Sequence, residues 1–275
     1  MEKLQNALQN ARKKRAISSA VVPKEHRKVE APRPDVEIDR LWTRVSEIQI
    51  NPKDLTENRI LAFEASNAAA PFDILRTKVM LEMKKNGWTR LAITSPTPGC
   101  GKTTTAMNLA FGLTRQEDKQ AILFDLDLRR PGVSRYLGHK PDQDVRELYE
   151  GRISFENYAV RVGENLAIAG IRNTVPDPAS MLNSEKTAAV VDQIQGTYTP
   201  DIMIFDLPPF LVNDDTRGFL KNVDCALLVA QANETRVDQI DSCEREVALH
   251  TNVLGIVLNQ CETTSETIGY DYDSD

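Results

Sequence analysis

Six short, almost purely apolar runs recur along the chain: LAIT at 91–94, AILFD at 121–125, LAIAG at 166–170, IMIFD at 202–206, CALLVA at 225–230 and VLGIVLN at 253–259. Each is too short for a buried helix, and none alternates apolar with polar residues. Strands of that texture are buried on both faces. Segments with helical character lie between them, near 102–116, 144–150, 179–195 and 235–250. The alternation predicts an α/β fold: a doubly wound, mainly parallel sheet with helices on both faces. With 41% hydrophobic residues in 275, the chain can bury one such core. A helix is expected from Pro71 to Asn86, with Phe72, Leu75, Val79 and Met83 on one face and Gly87 ending it. The ordered body is expected to begin near residue 59, after a short helix around 39–48 and a turn at Asn51-Pro52.

The first of these runs leads into Ser95-Pro96-Thr97-Pro98-Gly99-Cys100-Gly101-Lys102-Thr103-Thr104, followed by a helical segment. The Walker phosphate-loop pattern is Gly, four residues, then Gly-Lys-Ser/Thr. Here Gly101, Lys102 and Thr103 fit, and Pro96 stands where the leading glycine would be. A loop entering a helix N-terminus aims backbone N–H groups at an anion, and the helix dipole favours negative charge there. Pro98, Gly99, Cys100, Gly101, Lys102, Thr103 and Thr104 are therefore the candidate nucleotide-binding residues. Lys102 would reach the β- and γ-phosphates of ATP, and the Thr103 hydroxyl would reach Mg²⁺.

Two other apolar runs end in aspartate. One continues Asp125-Leu126-Asp127-Leu128-Arg129-Arg130, and the other is Asp206-Leu207-Pro208-Pro209. In a parallel sheet the strand C-termini share one edge, where ligands bind. Asp125, Asp127 and Asp206 are thus expected near Lys102 and Thr103, where a divalent cation would offset their repulsion. An aspartate at a strand end is otherwise a turn former or helix cap. Thr103, Asp125 and Asp206 are the candidate metal ligands; Lys102, Asp125 and Asp127 are the candidate catalytic residues. Arg129 and Arg130 are candidate aids to charge stabilisation, with ion pairing the plainer role for Arg130.

Charge is unevenly distributed. Residues 1–40 hold ten Lys/Arg against six Asp/Glu, a net +4, which leaves −10 on the remainder of a chain of net charge −6. An acidic body argues against non-specific nucleic-acid binding, while a basic arm suits an anionic partner or membrane surface. Within it, Leu4, Leu8 and Ala11 form a helical stripe, and Pro23, Pro32 and Pro34 mark a linker. The division expected is a basic arm and linker at 1–40, a nucleotide-binding domain at 41–262 and an acidic tail at 263–275. Cys100, Cys225, Cys243 and Cys261 lack metal-ligand spacing and read as reduced thiols of a cytoplasmic protein. No apolar run approaches the ~18 residues of a membrane span, so attachment to the inner membrane would need a partner or the arm.

Several blocks together resemble the bacterial tyrosine kinase (BY-kinase) family of the CpsD/CapB type, from exopolysaccharide biosynthesis. They are FDILRTKV at 72–79, SPTPGCGKTTTAMNLA at 95–110, ILFDLDLRRP at 122–131, PDPASMLNSE at 176–185, IMIFDLPP at 202–209, VDCALLVA at 223–230 and LGIVLNQ at 254–260. The resemblance covers roughly 59–260. It implies ATP- and Mg²⁺-dependent phosphorylation of tyrosine, with Lys102 and Thr103 as Walker A ligands, Asp125 and Asp127 as second Walker carboxylates and Asp206 as the Walker B residue. It also implies autophosphorylation of tyrosines in a C-terminal cluster, usually on a neighbouring subunit, and a membrane-bound chain-length-determinant adaptor. Tyr270 and Tyr272 are the acceptor candidates in this chain.

The chain departs from the family pattern at several positions. In the Glu-x-x-Arg-x-x-Arg of ring assembly, Asp73 and Ala70 accompany Arg76; Cys100 stands at a usually acidic loop position and Met181 at a usual glutamate. Oligomer formation is thus an open expectation. The alternative function is a non-kinase P-loop ATPase switch, either of the partition or positioning kind (MinD/ParA-like) or a regulatory ATP-binding subunit that controls polysaccharide assembly without phosphorylating anything; the first of these is set apart by one residue. That class carries an extra lysine five positions before Lys102, where this chain has Thr97.

Overall fold

A computed structural model describes residues 40–262. The helix 4–15, the linker and the tail carrying Tyr270 and Tyr272 lie outside the described residues. The chain enters through β1 (Ser46–Glu47) and continues with β2 (Arg90–Thr94), β3 (Ala121–Asp125), β4 (Val160–Val162), β5 (Leu166–Ala169), β6 (Ile202–Asp206), β7 (Cys225–Gln231) and β8 (Asn252–Asn259). Among the described residues these form one eight-stranded sheet in the order β1-β4-β5-β3-β6-β2-β7-β8. All pairings are parallel except β4 with β5. The six apolar runs are the six long strands, and β2, β3, β5 and β6 are buried throughout.

Helices cover both faces. They are α1 (Pro52–Glu57), α2 (Ala70–Asn86), α3 (Lys102–Thr114), α4 (Val133–Leu137), α5 (Val145–Tyr149), α6 (Phe155–Tyr158), α7 (Pro178–Asn183), α8 (Glu185–Tyr198), α9 (Asp215–Phe219) and α10 (Val237–Ala248). One core layer joins Ile93, Leu123 and Ile204 of the sheet to Met107, Leu109 and Phe111 of α3, with Val79 and Met83 of α2 packed outside. Because α3 lies between the sheet and α2, residues Thr105 to Leu113 are all buried, and the helix lacks a polar face. Its one amide side chain, Asn108, is satisfied at both ends. Its oxygen accepts from Leu61 and Ala62 N–H, and its amide donates to Arg59 and Thr104 carbonyls.

The opposite layer is aromatic. Phe124 stacks on Phe205 with centroids 4.9 Å apart, and Phe155 meets Tyr198 edge-on at 5.0 Å. Trp42 packs edge-on against Tyr198 and donates its indole N–H to the Tyr198 carbonyl at 3.1 Å.

Several local expectations are corrected. Order begins well before residue 59, because Trp42, Val45 and Leu55 are core residues. Of 39–48, the described helical stretch covers only 40–42, and Ser46–Glu47 is a strand. Asn51-Pro52 starts α1 rather than a turn: the Asn51 side chain accepts from Lys53 N–H, and Pro52 sits in the first turn. The segment 179–195 is two helices, because Ser184 is extended and its hydroxyl accepts from Thr187 N–H to start α8. Pro71 and Gly87 act as expected in α2, with Gly87 at φ 66°.

Candidate functional site

The loop between β2 and α3 is shaped by Gly99 at φ 85° and Gly101 at φ 87°, both in the left-handed region that favours glycine. Ser95 donates its hydroxyl to the Thr97 carbonyl, and the Cys100 thiol donates to the same carbonyl. Burial pushes the Cys100 thiol up, but its hydrogen bonds to Thr97 and Thr235 outweigh that and leave it below its ordinary value. From the end of β8, Asn259 donates to the Cys100 carbonyl at 2.9 Å and Gln260 donates to the Gly99 carbonyl at 3.0 Å. A Cβ on Gly101 would overlap the Asn259 amide. These two side chains clamp the loop from a point 159 residues downstream.

The three aspartates are brought to the same sheet edge. Asp125 and Asp206 are register partners at the ends of β3 and β6. Asp206 is fully buried. One of its oxygens accepts from the Thr103 hydroxyl at 2.6 Å, and the other is buried with no hydrogen-bond partner. Burial raises its pKa to about 7, against the opposing pull of Lys102 and the Thr103 hydrogen bond. Asp125 is held well above the usual carboxylate range, first by burial and then by Asp206. Its oxygens accept from Gly132, Val133 and Asp127 N–H, so it anchors the loop that leads into α4. Asp127 is raised by burial while the Lys102 charge pulls it down.

Lys102, Thr103 and Asp127 line a cavity of about 460 Å³ together with Pro98, Gly99 and Thr104. That volume suits a nucleotide-sized ligand. Asp125 and Asp206 do not line the cavity; they lie beneath it. Arg129 also reaches the wall, but its guanidinium pairs with the buried Asp215 through two bonds of 2.6 and 3.0 Å. Asn259 and Gln260 were not singled out as site residues. The signal in the sequence is their place at the end of the last apolar run, within the LGIVLNQ block at 254–260.

The donor set fits a magnesium ion. A buried carboxylate oxygen without a partner, beside a threonine hydroxyl on the same carboxylate, is what a hard cation needs. Among the described residues no group of three or more His, Cys, Asp or Glu side chains could hold a metal. Magnesium in nucleotide sites takes the rest of its shell from phosphates and water.

A glycine-shaped loop on a helix N-terminus, backed by strand-end aspartates in a parallel sheet, defines a P-loop NTPase. The chain belongs to the ParA family, whose model, described as NUBPL iron-transfer P-loop NTPase, matches residues 88–273. Several curated relatives are named as tyrosine-protein kinases. The tyrosine-protein kinase YwqD of Bacillus subtilis is 27% identical over 218 residues, covering 78% of this chain and 88% of the relative. The tyrosine-protein kinase Etk of Escherichia coli is 25% identical over 197 residues, covering 71% of this chain and 27% of the relative. The chain spans about a quarter of the length of most of the curated relatives it matches. Among solved structures, the kinase domain of VpsO superposes with a TM-score of 0.63 at 26% identity, covering 70% of this chain and 95% of that one. No helix of the described residues is long and apolar enough to cross a membrane.

Proposed function

We propose that this chain is an ATP- and Mg²⁺-dependent protein-tyrosine kinase that autophosphorylates. We further propose that it regulates exopolysaccharide synthesis or export with a membrane-bound chain-length-determinant adaptor, through which it attaches to the cytoplasmic face of the membrane. The single observation that carries the chemistry is the contact of Thr103 with Asp206, at a cavity that Thr103 lines together with Lys102 and Asp127. The tyrosine-kinase relatives supply the reaction class.

Thr103 and Asp206 would hold magnesium, which when bound neutralises charge on the β- and γ-phosphates. Asp125 keeps the loop of Asp127 and Gly132 in place through backbone amides. A tyrosine hydroxyl, with a reference pKa of ~10, enters protonated. Its oxygen attacks the γ-phosphorus in line while the bond to the β–γ bridging oxygen breaks and ADP leaves. Asp127 accepts the hydroxyl proton, and Lys102 stabilises the developing charge. Asp127 suits that role better than Asp125, because Asp127 faces the cavity and the oxygens of Asp125 are taken by amides. Incubation with labelled ATP tests the scheme: wild type should label tyrosine, while Lys102→Ala and Asp127→Ala should each lose about a hundredfold or more. Unchanged tyrosine labelling in both variants would overturn it.

A P-loop ATPase switch is the second reading, favoured by the ParA-family match itself. Thr97, at the place of the switch lysine, argues for the kinase. Mass spectrometry after ATP incubation separates the two, because a switch releases phosphate and leaves every tyrosine unmodified.

A further inference from the structure

Gly132 is the residue that enters α4, at the end of the loop that carries Asp127. Its backbone sits at φ −110° and ψ −38°, in the right-handed region that any residue adopts. Its own conformation therefore does not call for glycine, and what calls for it is a neighbour. A Cβ built on Gly132 would lie 2.9 Å from the methyl carbon of Thr103, 3.0 Å from its hydroxyl oxygen and 3.3 Å from its Cβ. Non-bonded carbons prefer roughly 3.5–4.0 Å, so a side chain at this position displaces something. The three atoms nearest to it all belong to Thr103.

Thr103 is the residue whose hydroxyl reaches Asp206 at 2.6 Å. Its side chain is β-branched, so methyl and hydroxyl turn together about one bond, and a push on the methyl moves the hydroxyl. Gly132 is itself buried and held from behind. Its N–H and that of Val133 each donate to the same Asp125 oxygen at 3.0 Å. Asp125 is in turn the register partner of Asp206 on the adjoining strand. The four residues close a circuit. Asp206 accepts from Thr103, Thr103 abuts Gly132, Gly132 is tied to Asp125, and Asp125 stands beside Asp206.

We propose that Gly132 is a positioning residue for the magnesium site: its bare α-carbon is the wall that keeps the Thr103 hydroxyl on Asp206, and Asp125 serves the site through that wall. The assignment rests on the magnesium–nucleotide part of the function proposed above and does not depend on which group receives the phosphate. It gives Asp125 a task that leaves its oxygens on backbone amides. Groups that orient a metal ligand from behind commonly tune metal affinity by about tenfold to a hundredfold.

The test is a double-mutant cycle on the full chain with Gly132→Ala and Thr103→Ser. Serine keeps the hydroxyl and deletes the methyl, which is the atom a new Cβ would strike first. One measurement needs neither metal nor nucleotide. In EDTA, Gly132→Ala should lower the urea midpoint about twice as far, or more, in the wild-type background as in the Thr103→Ser background. Equal shifts in the two backgrounds overturn the wall. The other measurement is the Kd for ADP by calorimetric titration, in EDTA and at one fixed magnesium concentration. The ratio of the two Kd values reports what magnesium contributes. Gly132→Ala should cut that ratio about threefold to tenfold in the wild-type background, and change it less than about twofold in the Thr103→Ser background. A ratio that Gly132→Ala leaves unchanged, or cuts equally in both backgrounds, overturns the positioning role. A merely structural role would weaken ADP alike with and without magnesium and so would not move the ratio. A wild-type Kd that magnesium fails to tighten sinks the magnesium reading and this proposal with it, whereas the other adverse outcomes overturn the proposal alone.

Discussion

Replacing Asp206 with asparagine should stabilise the nucleotide-free protein at neutral pH while destroying its response to magnesium. The Asp206 carboxyl is fully buried, and its pKa rises from 3.8 to about 7, chiefly through burial. Between those values the folded state holds a proton that the unfolded chain has released. The stability contributed by the protonated carboxyl is therefore fully present below pH ~4 and is lost as pH rises through ~7. A gap of about three pKa units at 1.36 kcal/mol each sets an upper limit of ~4 kcal/mol. The neighbouring Asp125 titrates in the same surroundings and shares part of that loss, so ~2–4 kcal/mol is the expected effect for Asp206 alone. An asparagine keeps an oxygen for the Thr103 hydroxyl and cannot ionise. The Asp206→Asn variant should then be ~2–4 kcal/mol more stable than wild type at pH 8 and within ~1 kcal/mol of it at pH 4.5. Urea unfolding followed by circular dichroism in EDTA, across that pH range and with unchanged m-values, measures this directly. Parallel pH curves for the two proteins, or a less stable variant at pH 8, would refute the reasoning. Magnesium with nucleotide at a hundred times Kd should add ~2.7 kcal/mol to wild type and much less to the variant.

Three further outcomes follow from the geometry. Gly101→Ala places a Cβ at φ 87° against the Asn259 amide, and should cost ~1–3 kcal/mol in thermal unfolding and weaken ADP about tenfold or more by calorimetric titration. Asn259→Ala removes the bond to the Cys100 carbonyl and should weaken ADP about fivefold to tenfold with little change in urea midpoint; an unaltered affinity would show the clamp to be idle. Trp42→Ala deletes a core aromatic and the indole bond to Tyr198, and should cost ~3–5 kcal/mol by chemical denaturation while leaving nucleotide affinity in the surviving folded fraction unchanged.

Five of the long strands are legible because each is buried and so has no polar residue to interrupt its apolar run; β8 is equally apolar although it is an edge strand that leaves Ile256 and Leu258 exposed. β1 and β4 are not, since they are two and three residues at the margin of the sheet: Ser46–Glu47 is wholly polar and Val160–Val162 has a charge at its centre. The early entry of Trp42 and Val45 into the core was missed for the opposite reason: single apolar residues among charges carry no period. The phosphate loop and strand-end aspartates announced themselves through spacing, because their chemistry is local to one strand end. What spacing could not separate was Asp125 from Asp127. Only the fold shows that amides of the following loop consume the oxygens of the first and leave the second facing the cavity. Nothing local in the LGIVLNQ block marks Asn259 and Gln260 as partners of the loop, since Cys100 and Gly99 are about 160 positions earlier in the chain.

The grip of β8 on the phosphate loop also orders events in time. During synthesis, residues 95–101 emerge long before residues 259 and 260, so the loop first exists without the side chains that hold its carbonyls. A nascent chain can lay β2 against later strands and still have no finished cradle for a triphosphate. A ribosome-bound fragment ending before Asn259 carries the whole Walker sequence without the two side chains that hold its carbonyls, and should bind nucleotide more weakly than the full chain.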